Sequence, residues 1–178
     1  DALKALRRYE ESARAVERAQ RVGLTFGKHV HQIFCADALE WMPRQAAEQF
    51  DVILTDPPYG INAQDFGDAD GRLKAQTHEY IDSPEQWRAL MQVCAGEWYR
   101  LAKAQAHAYV CCDIDNYPEL RALMILAGWR VHRTPLVNFK RDGSRVPWPE
   151  HGPQRKYELI LYAIKGDRRV TRIYPDVI

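Results

Sequence analysis

The 178-residue chain contains no Gly-x-Gly: its ten glycines (Gly23, Gly27, Gly60, Gly67, Gly71, Gly96, Gly128, Gly143, Gly152 and Gly166) all stand further apart, which excludes a tight glycine-rich turn of that form. It also lacks any Cys-x-x-Cys pair. Cys35, Cys94, Cys111 and Cys112 therefore read as buried thiols of a reducing cytosol rather than as metal ligands, and no metal site is expected. No apolar run approaches the ~20 residues that a membrane-spanning helix needs. With no signal peptide at its start, the chain is expected to be soluble and cytoplasmic, with no membrane partner. An excess of one charge is missing too: 25 Lys and Arg face 24 Asp and Glu, a net charge of +1. Any nucleic-acid surface must then come from local clustering. What the chain does have is 46% hydrophobic residues, enough for one globular core.

Hydrophobic spacing sorts the chain into alternating helices and strands. Leu3, Leu6, Tyr9, Ala13, Val16 and Ala19 recur at helical spacing. They predict an amphipathic helix over residues 1–23, which could dock on a sheet or on a second copy in a homodimer, ahead of a single domain over residues 24–178. His31 to Cys35 and Phe50 to Leu54 are strand-like, and the second is expected to be buried. Ser83-Pro84-Glu85-Gln86 is a strong helix start, with Ser83 able to cap, Pro84 suited to the first helical position and Gln86 able to complete a capping box. The stripe Trp87, Leu90, Met91, Cys94, Trp98 and Leu101 is its buried face. Ala108 to Cys112 predicts a central strand, and a second helix starts at Asn116 with Gly128 as its C-cap. Trp129 to Phe139 and Tyr157 to Ile164 complete the strands.

The carboxyl end of the Phe50 strand carries Asp56-Pro57-Pro58-Tyr59-Gly60. In an open α/β sheet that edge is where ligands bind. Two successive prolines fix two φ angles and remove two N–H donors, so the carbonyls of Asp56 and Pro57 are kept out of regular hydrogen-bond ladders. They stand beside one carboxylate, Asp56, and one aromatic face, Tyr59. A rigid turn would use the same residue types. The chemistry nevertheless suits an exocyclic amine on a flat ring, whose nitrogen is a poor nucleophile because its lone pair is delocalised. Two acceptors, the Asp56 carboxylate and the Pro57 carbonyl, would bond its hydrogens and favour a tetrahedral nitrogen able to attack a methyl donor. Tyr59 would stack on a base taken out of the duplex.

On these residues the chain resembles the S-adenosylmethionine-dependent DNA amino-methyltransferases, which methylate adenine N6 or cytosine N4. Asp56-Pro57-Pro58-Tyr59 looks like their catalytic motif, and Ala36-Asp37-Ala38-Leu39 resembles a short segment that precedes it in the family. The order of later elements also agrees, over about residues 31–166. The resemblance implies an α/β fold: a Rossmann-like class I methyltransferase sheet, mostly parallel, with an antiparallel C-terminal hairpin. It implies catalytic roles for Asp56, Pro57, Pro58 and Tyr59, S-adenosylmethionine as cofactor held at Asp37, Ala38 and Asp56, and double-stranded DNA as substrate. The acid at the first motif position favours adenine N6, with cytosine N4, RNA or a protein glutamine as alternative targets. The family's Phe-x-Gly-x-Gly cofactor loop has no counterpart here. In permuted members it follows the catalytic motif, and Arg172 to Ile178 resembles the lead-in to it, so the sheet is expected to be incomplete in this chain, cut before the loop that holds the methionine part of the cofactor. A non-catalytic DNA-binding module is the competing expectation.

Two further stretches carry chemistry. Ile61 to Asp82 reads as a long loop, in which His78 and Tyr80 could touch a base. Between the last two strands Lys140, Arg141, Arg145, His151, Arg155 and Lys156 cluster around Trp148, a composition suited to phosphate contacts and stacking. Lys140, Arg141, Arg145, Trp148 and Arg155 are therefore the expected DNA-binding residues, although an ordinary solvated hairpin loop would have a similar composition. Lys165, Arg168, Arg169 and Arg172 extend the basic tendency. Asp113 and Asp115 fit either a cleft or a helix cap.

Overall fold

A computed structural model of the chain describes residues 32–62, 82–140 and 156–178. Its contacts divide the chain into two compact units, Asp1–Cys35 and Ala36–Ile178. The expected N-terminal helix lies outside the described residues, as do His78, Tyr80, Arg141, Arg145, Trp148 and Arg155. Of the first unit only residues 32–35 are described, and they form no strand. That overturns the strand expected there. Its described residues are exposed, with Ile33 at 97%.

In the second unit, a one-turn helix α1 (Ala38–Trp41) and a 3-10 turn (Met42–Arg44) lead to strand β1 (Phe50–Thr55). Helix α2 (Pro84–Leu101) passes without a loop into β2 (Ala102–Cys112). Helix α3 (Tyr117–Leu126), short strands β3 (Arg130–Val131) and β4 (Leu136–Phe139), and β5 (Tyr157–Lys165) follow. The sheet runs β1-β2-β5-β3, with β4 also paired to β5. β1 is parallel to β2, while β5 is antiparallel to β2, β3 and β4. The expected antiparallel hairpin at the C-terminus is β4 with β5. The long strand expected from Trp129 to Phe139 is instead broken into β3 and β4 by His132 to Pro135, where proline cannot donate to a ladder.

Local chemistry accounts for the helix limits. Ser83 accepts the Gln86 N–H with Pro84 in the first turn, as expected of that sequence. Gly128, with φ +105°, turns the chain out of α3. Both helices pack on one face of the sheet. They contribute Trp87, Met91, Trp98, Leu120 and Met124, and the sheet opposes these with small residues, Ala106, Ala108 and Ala163, beside Val110 and Leu161. The small strand residues make room for two tryptophans. Replacing Leu120, which is fully buried, with Ala is expected to cost about 3 kcal/mol, through lost transfer energy plus a cavity, read from urea unfolding.

The opposite face is aromatic. The Tyr162 hydroxyl and His107 Nδ1 are 2.9 Å apart, and the Tyr109 and Tyr162 rings lie 5.1 Å apart. β1 is paired on one side only among the described residues, with Val52 49% and Leu54 73% exposed, so the expectation of a buried strand is corrected. Its chain is held instead from below: Glu48 and Gln49 donate to the carbonyls of Arg100 and Leu101. Arg100 in turn reaches the carbonyls of Met42 at 2.7 Å and Gln45 at 2.8 Å. Among the thiols, Cys94 and Cys112 are buried and Cys111 is half-buried, but Cys35 is exposed, contrary to expectation. Burial pushes the Cys94 thiol up to about 11 and the Cys112 thiol up to about 12. Among the described residues no helix is long and apolar enough to cross a membrane.

Candidate active site

Asp56 to Gly60 leave the carboxyl end of β1 as irregular backbone, as two prolines in succession require. Asp56 is exposed, and Pro57, Pro58 and Tyr59 are half-buried. The Asp56 carboxylate lies within electrostatic reach of the Tyr59 hydroxyl. Burial first, then the neighbouring Asp56 carboxylate, hold the hydroxyl far above its usual titration range, so it stays protonated at any physiological pH.

A second wall comes from the sheet. Cys111, near the end of β2, lies within electrostatic reach of Asp56, Glu158 and Lys140; burial, then the two carboxylates, raise its thiol, while Lys140 lowers it. Glu158 and Lys140 form an ion pair across β4 and β5, and Glu158 also acts on Tyr59. Of the expected DNA-binding residues, Lys140 alone is described, and it stands at this edge, paired with Glu158. Lys165 serves structure instead, donating to the carbonyls of Tyr99 and Ala102 at 2.8 Å each. Asp113 is buried and accepts the Asp115 N–H at 3.1 Å, an Asx turn ahead of α3, whose N-cap position is Asn116.

The exit from the motif is built by residues far away in sequence. Gly60 has φ +66°, and its backbone lies so close to Trp87 that a Cβ would stand 2.5 Å from Trp87 Cβ. Asp82 is 3% exposed; its carboxylate accepts the Gly60 N–H at 2.6 Å and the Ile61 N–H at 3.2 Å. Its carbonyl accepts the Asn62 N–H at 2.7 Å. Asn116, at the start of α3, does not cap that helix; its side-chain amide donates to the Tyr59 carbonyl at 2.5 Å. Reading along the sequence found neither role: Asp82 looked like the end of a loop, and Asn116 like a helix cap.

Asp37 was expected on the cofactor side. It is the N-cap of α1, accepting the Leu39 N–H at 2.7 Å, and it lies within electrostatic reach of Cys94 on α2. No hydrogen bond joins Asp37 or Ala38 to the motif among the described residues. Both are exposed.

The profile of a DNA methylase family, the N6/N4 methyltransferases, matches residues 50–177. The DNA adenine methyltransferase YhdJ of Escherichia coli (strain K12) is 28% identical over 151 residues, which are 82% of this chain and 45% of that protein. The chain thus spans about half the length of this curated relative. Among solved structures, the cytosine-N4-specific PvuII DNA methyltransferase superposes with a TM-score of 0.58 at 12% identity, over 82% of this chain and 55% of that one. M1.HpyAVI, solved as its SAM complex, does so with 0.51 at 15% identity, over 81% and 59%. These likenesses show a shared Rossmann-like class I methyltransferase fold. With the family profile covering the whole stretch from β1 to the C-terminal segment, the chain belongs to the N6/N4 family of DNA methylases.

Proposed function

We propose that the protein containing this chain transfers a methyl group from S-adenosylmethionine to the exocyclic amine of a base flipped out of double-stranded DNA, adenine N6 being the target. The observation that carries this reading is that the exposed Asp56 carboxylate and the half-buried Tyr59 ring leave the carboxyl end of β1 together, with proline-freed carbonyls between them. Asp56 and the Pro57 carbonyl accept the two amine hydrogens and turn the nitrogen lone pair toward the methyl group. Tyr59 stacks on the extruded ring. Pro58 holds the backbone between them rigid. When bound, S-adenosylmethionine supplies the methyl group on a cationic sulfur. The exposed carboxylates of Asp37 and Asp56 match its ammonium and hydroxyl groups, with Ala38 beside them, although this sequence has no Gly-x-Gly turn. Lys140 supplies a DNA-facing charge once a phosphate competes with Glu158 for it, joined by Arg141, Arg145, Trp148 and Arg155.

Adenine is favoured over cytosine by the acid at the first motif position and by the adenine methyltransferase from Escherichia coli among its relatives. Nucleoside mass spectrometry on DNA from methylation-free cells expressing the full-length protein tests the reading, beside an Asp56→Ala control. N6-methyladenine that vanishes in the control is expected. N4-methylcytosine would move the target to cytosine, and no methylated base from a folded protein would sink the methyltransferase reading in favour of a DNA-binding module.

The two functions of Tyr59 separate by substitution. Tyr59→Phe keeps the ring and loses only the hydroxyl near Asp56, and a rate loss of less than about 10-fold is expected, the size of one ordinary hydrogen bond. Tyr59→Ala also removes stacking of about 1–3 kcal/mol per base, adding about 5- to 150-fold. Steady-state rates on a duplex substrate check both; equal losses would show that the ring does not stack.

A further inference from the structure

We infer that Asp82 and Asn116 are positioning residues for the catalytic motif, forming a clamp that fixes the backbone at Tyr59 and Gly60 and thereby aims the Tyr59 ring. This rests on the proposed function above for its catalytic consequence, while the clamp itself rests on geometry. Three consecutive backbone groups are held by two side chains that belong to neither the motif nor its strand. Asn116 takes the Tyr59 carbonyl at 2.5 Å, and the two oxygens of Asp82 take the Gly60 and Ile61 N–H groups at 2.6 and 3.2 Å.

The chemistry of the clamp is that of an anion nest. A residue at positive φ, here Gly60 at +66°, turns two successive N–H groups to one side, where they converge on a negative charge. That charge comes from within the chain. Asp82 is 3% exposed, so its carboxylate is withdrawn from solvent and each of its N–H bonds is charge-assisted. It cannot be both buried and loose. On the other side, Asn116 leaves its own helix uncapped by its side chain in order to hold the Tyr59 carbonyl. Trp87, 2% exposed, closes the space behind Gly60. Asp82 and Trp87 flank the start of α2 and Asn116 begins α3, so the two helices that cover the sheet both reach the motif at one point. A shift there would move Tyr59 relative to Asp56 without removing either.

Asp82→Ala, Asp82→Asn and Asn116→Ala in the full-length protein test the clamp. The Ser83 cap on α2 is independent of the Asp82 side chain and should survive. For Asp82→Ala, kcat is expected to fall about 100-fold, the scale on which small misplacements act, with KM for S-adenosylmethionine and Kd for DNA within about twofold. Asp82→Asn keeps one acceptor oxygen and should fall between Ala and the unmodified protein, a graded rescue that general destabilisation would not give. Hydrogen exchange at the Gly60 and Ile61 amides should accelerate in Asp82→Ala by about 10-fold or more. An unchanged exchange rate, or a kcat within twofold of the unmodified protein, would overturn the inference. Should Asp82→Ala fail to fold, Asn116→Ala decides: it loses only the bond to the Tyr59 carbonyl, and a kcat loss of about 10-fold at unchanged KM is expected. If the unmodified protein methylates no DNA base, the proposed function fails, and the clamp then stands or falls on amide exchange alone.

Discussion

Asp56→Ala in the full-length protein is expected to lower methyl transfer at saturating DNA and cofactor by about 1000-fold, the upper range seen when one preorganised polar group is removed from a reacting centre. The loss should fall on the chemical step. Asp56 is exposed at the end of β1 and takes no part in the buried core, so the fold does not depend on it. The midpoint of thermal unfolding should therefore move by no more than about 4 °C, as for other substitutions away from the core. Asp56→Asn retains an oxygen that accepts a hydrogen bond but loses the charge, and a loss of about 10-fold is expected. Single-turnover rates distinguish these outcomes. If Asp56→Ala were to keep a rate within 10-fold of the unmodified protein, Asp56 would have no place at the reacting centre, and the motif would be left as a rigid turn.

The second large effect is structural. Gly60→Ala puts a side chain at φ +66°, which costs about 1–2 kcal/mol for an L-residue other than glycine. It also places the new Cβ 2.5 Å from Trp87 Cβ and 2.8 Å from Cγ. Trp87 cannot yield cheaply, because it is 2% exposed within the core between α2 and the sheet. Overpacking of this kind adds about 1–3 kcal/mol, so a total near 4 kcal/mol is expected from urea unfolding, together with a large loss of activity as Tyr59 is displaced. Gly96 supplies the control. It lies within α2, a Cβ there would meet nothing within 4 Å, and Gly96→Ala should stabilise the protein by about 0.5–1 kcal/mol. Equal effects at the two glycines would show that the approach of Gly60 to Trp87 does not exist in solution.

The helices were legible because their signals are local. Ser83 and Pro84 mark the start of α2, and the stripe from Trp87 to Leu101 marks its buried face; Trp87, Met91, Cys94, Trp98 and Leu101 are buried, with Leu90 packed against them. The same holds for Gly128 at the end of α3. Strands were read less well, because a strand depends on a partner elsewhere in the chain. Phe50 to Thr55 is a strand, as its apolar run suggests, but how deeply it is buried depends on which neighbours flank it. Gln32 to Cys35 is also rich in apolar residues, yet forms no strand. Pro135 and the residues before it divide what looked like one long strand, since β3 and β4 each pair with a different part of β5.

By itself the sequence determined the chemistry on offer. Asp56-Pro57-Pro58-Tyr59-Gly60 specifies, through proline's fixed φ and missing N–H, a rigid acceptor-rich turn with one aromatic face, and this much follows from covalent structure alone. Its resemblance to the amino-methyltransferase motif could be read from the same five residues. Only the tertiary structure decided how that turn is held. Asp82 reaches back 22 residues to Gly60, and Asn116 reaches 57 residues to Tyr59. Neither residue type is unusual where it stands, so no local pattern marks it. Glu158 and Lys140 likewise become neighbours of the motif only because β5 pairs antiparallel with β2 and carries β4 along its other edge. Buried side-chain bonds between distant residues follow from the packing of whole elements, and that packing is a property of the folded chain rather than of any segment in it.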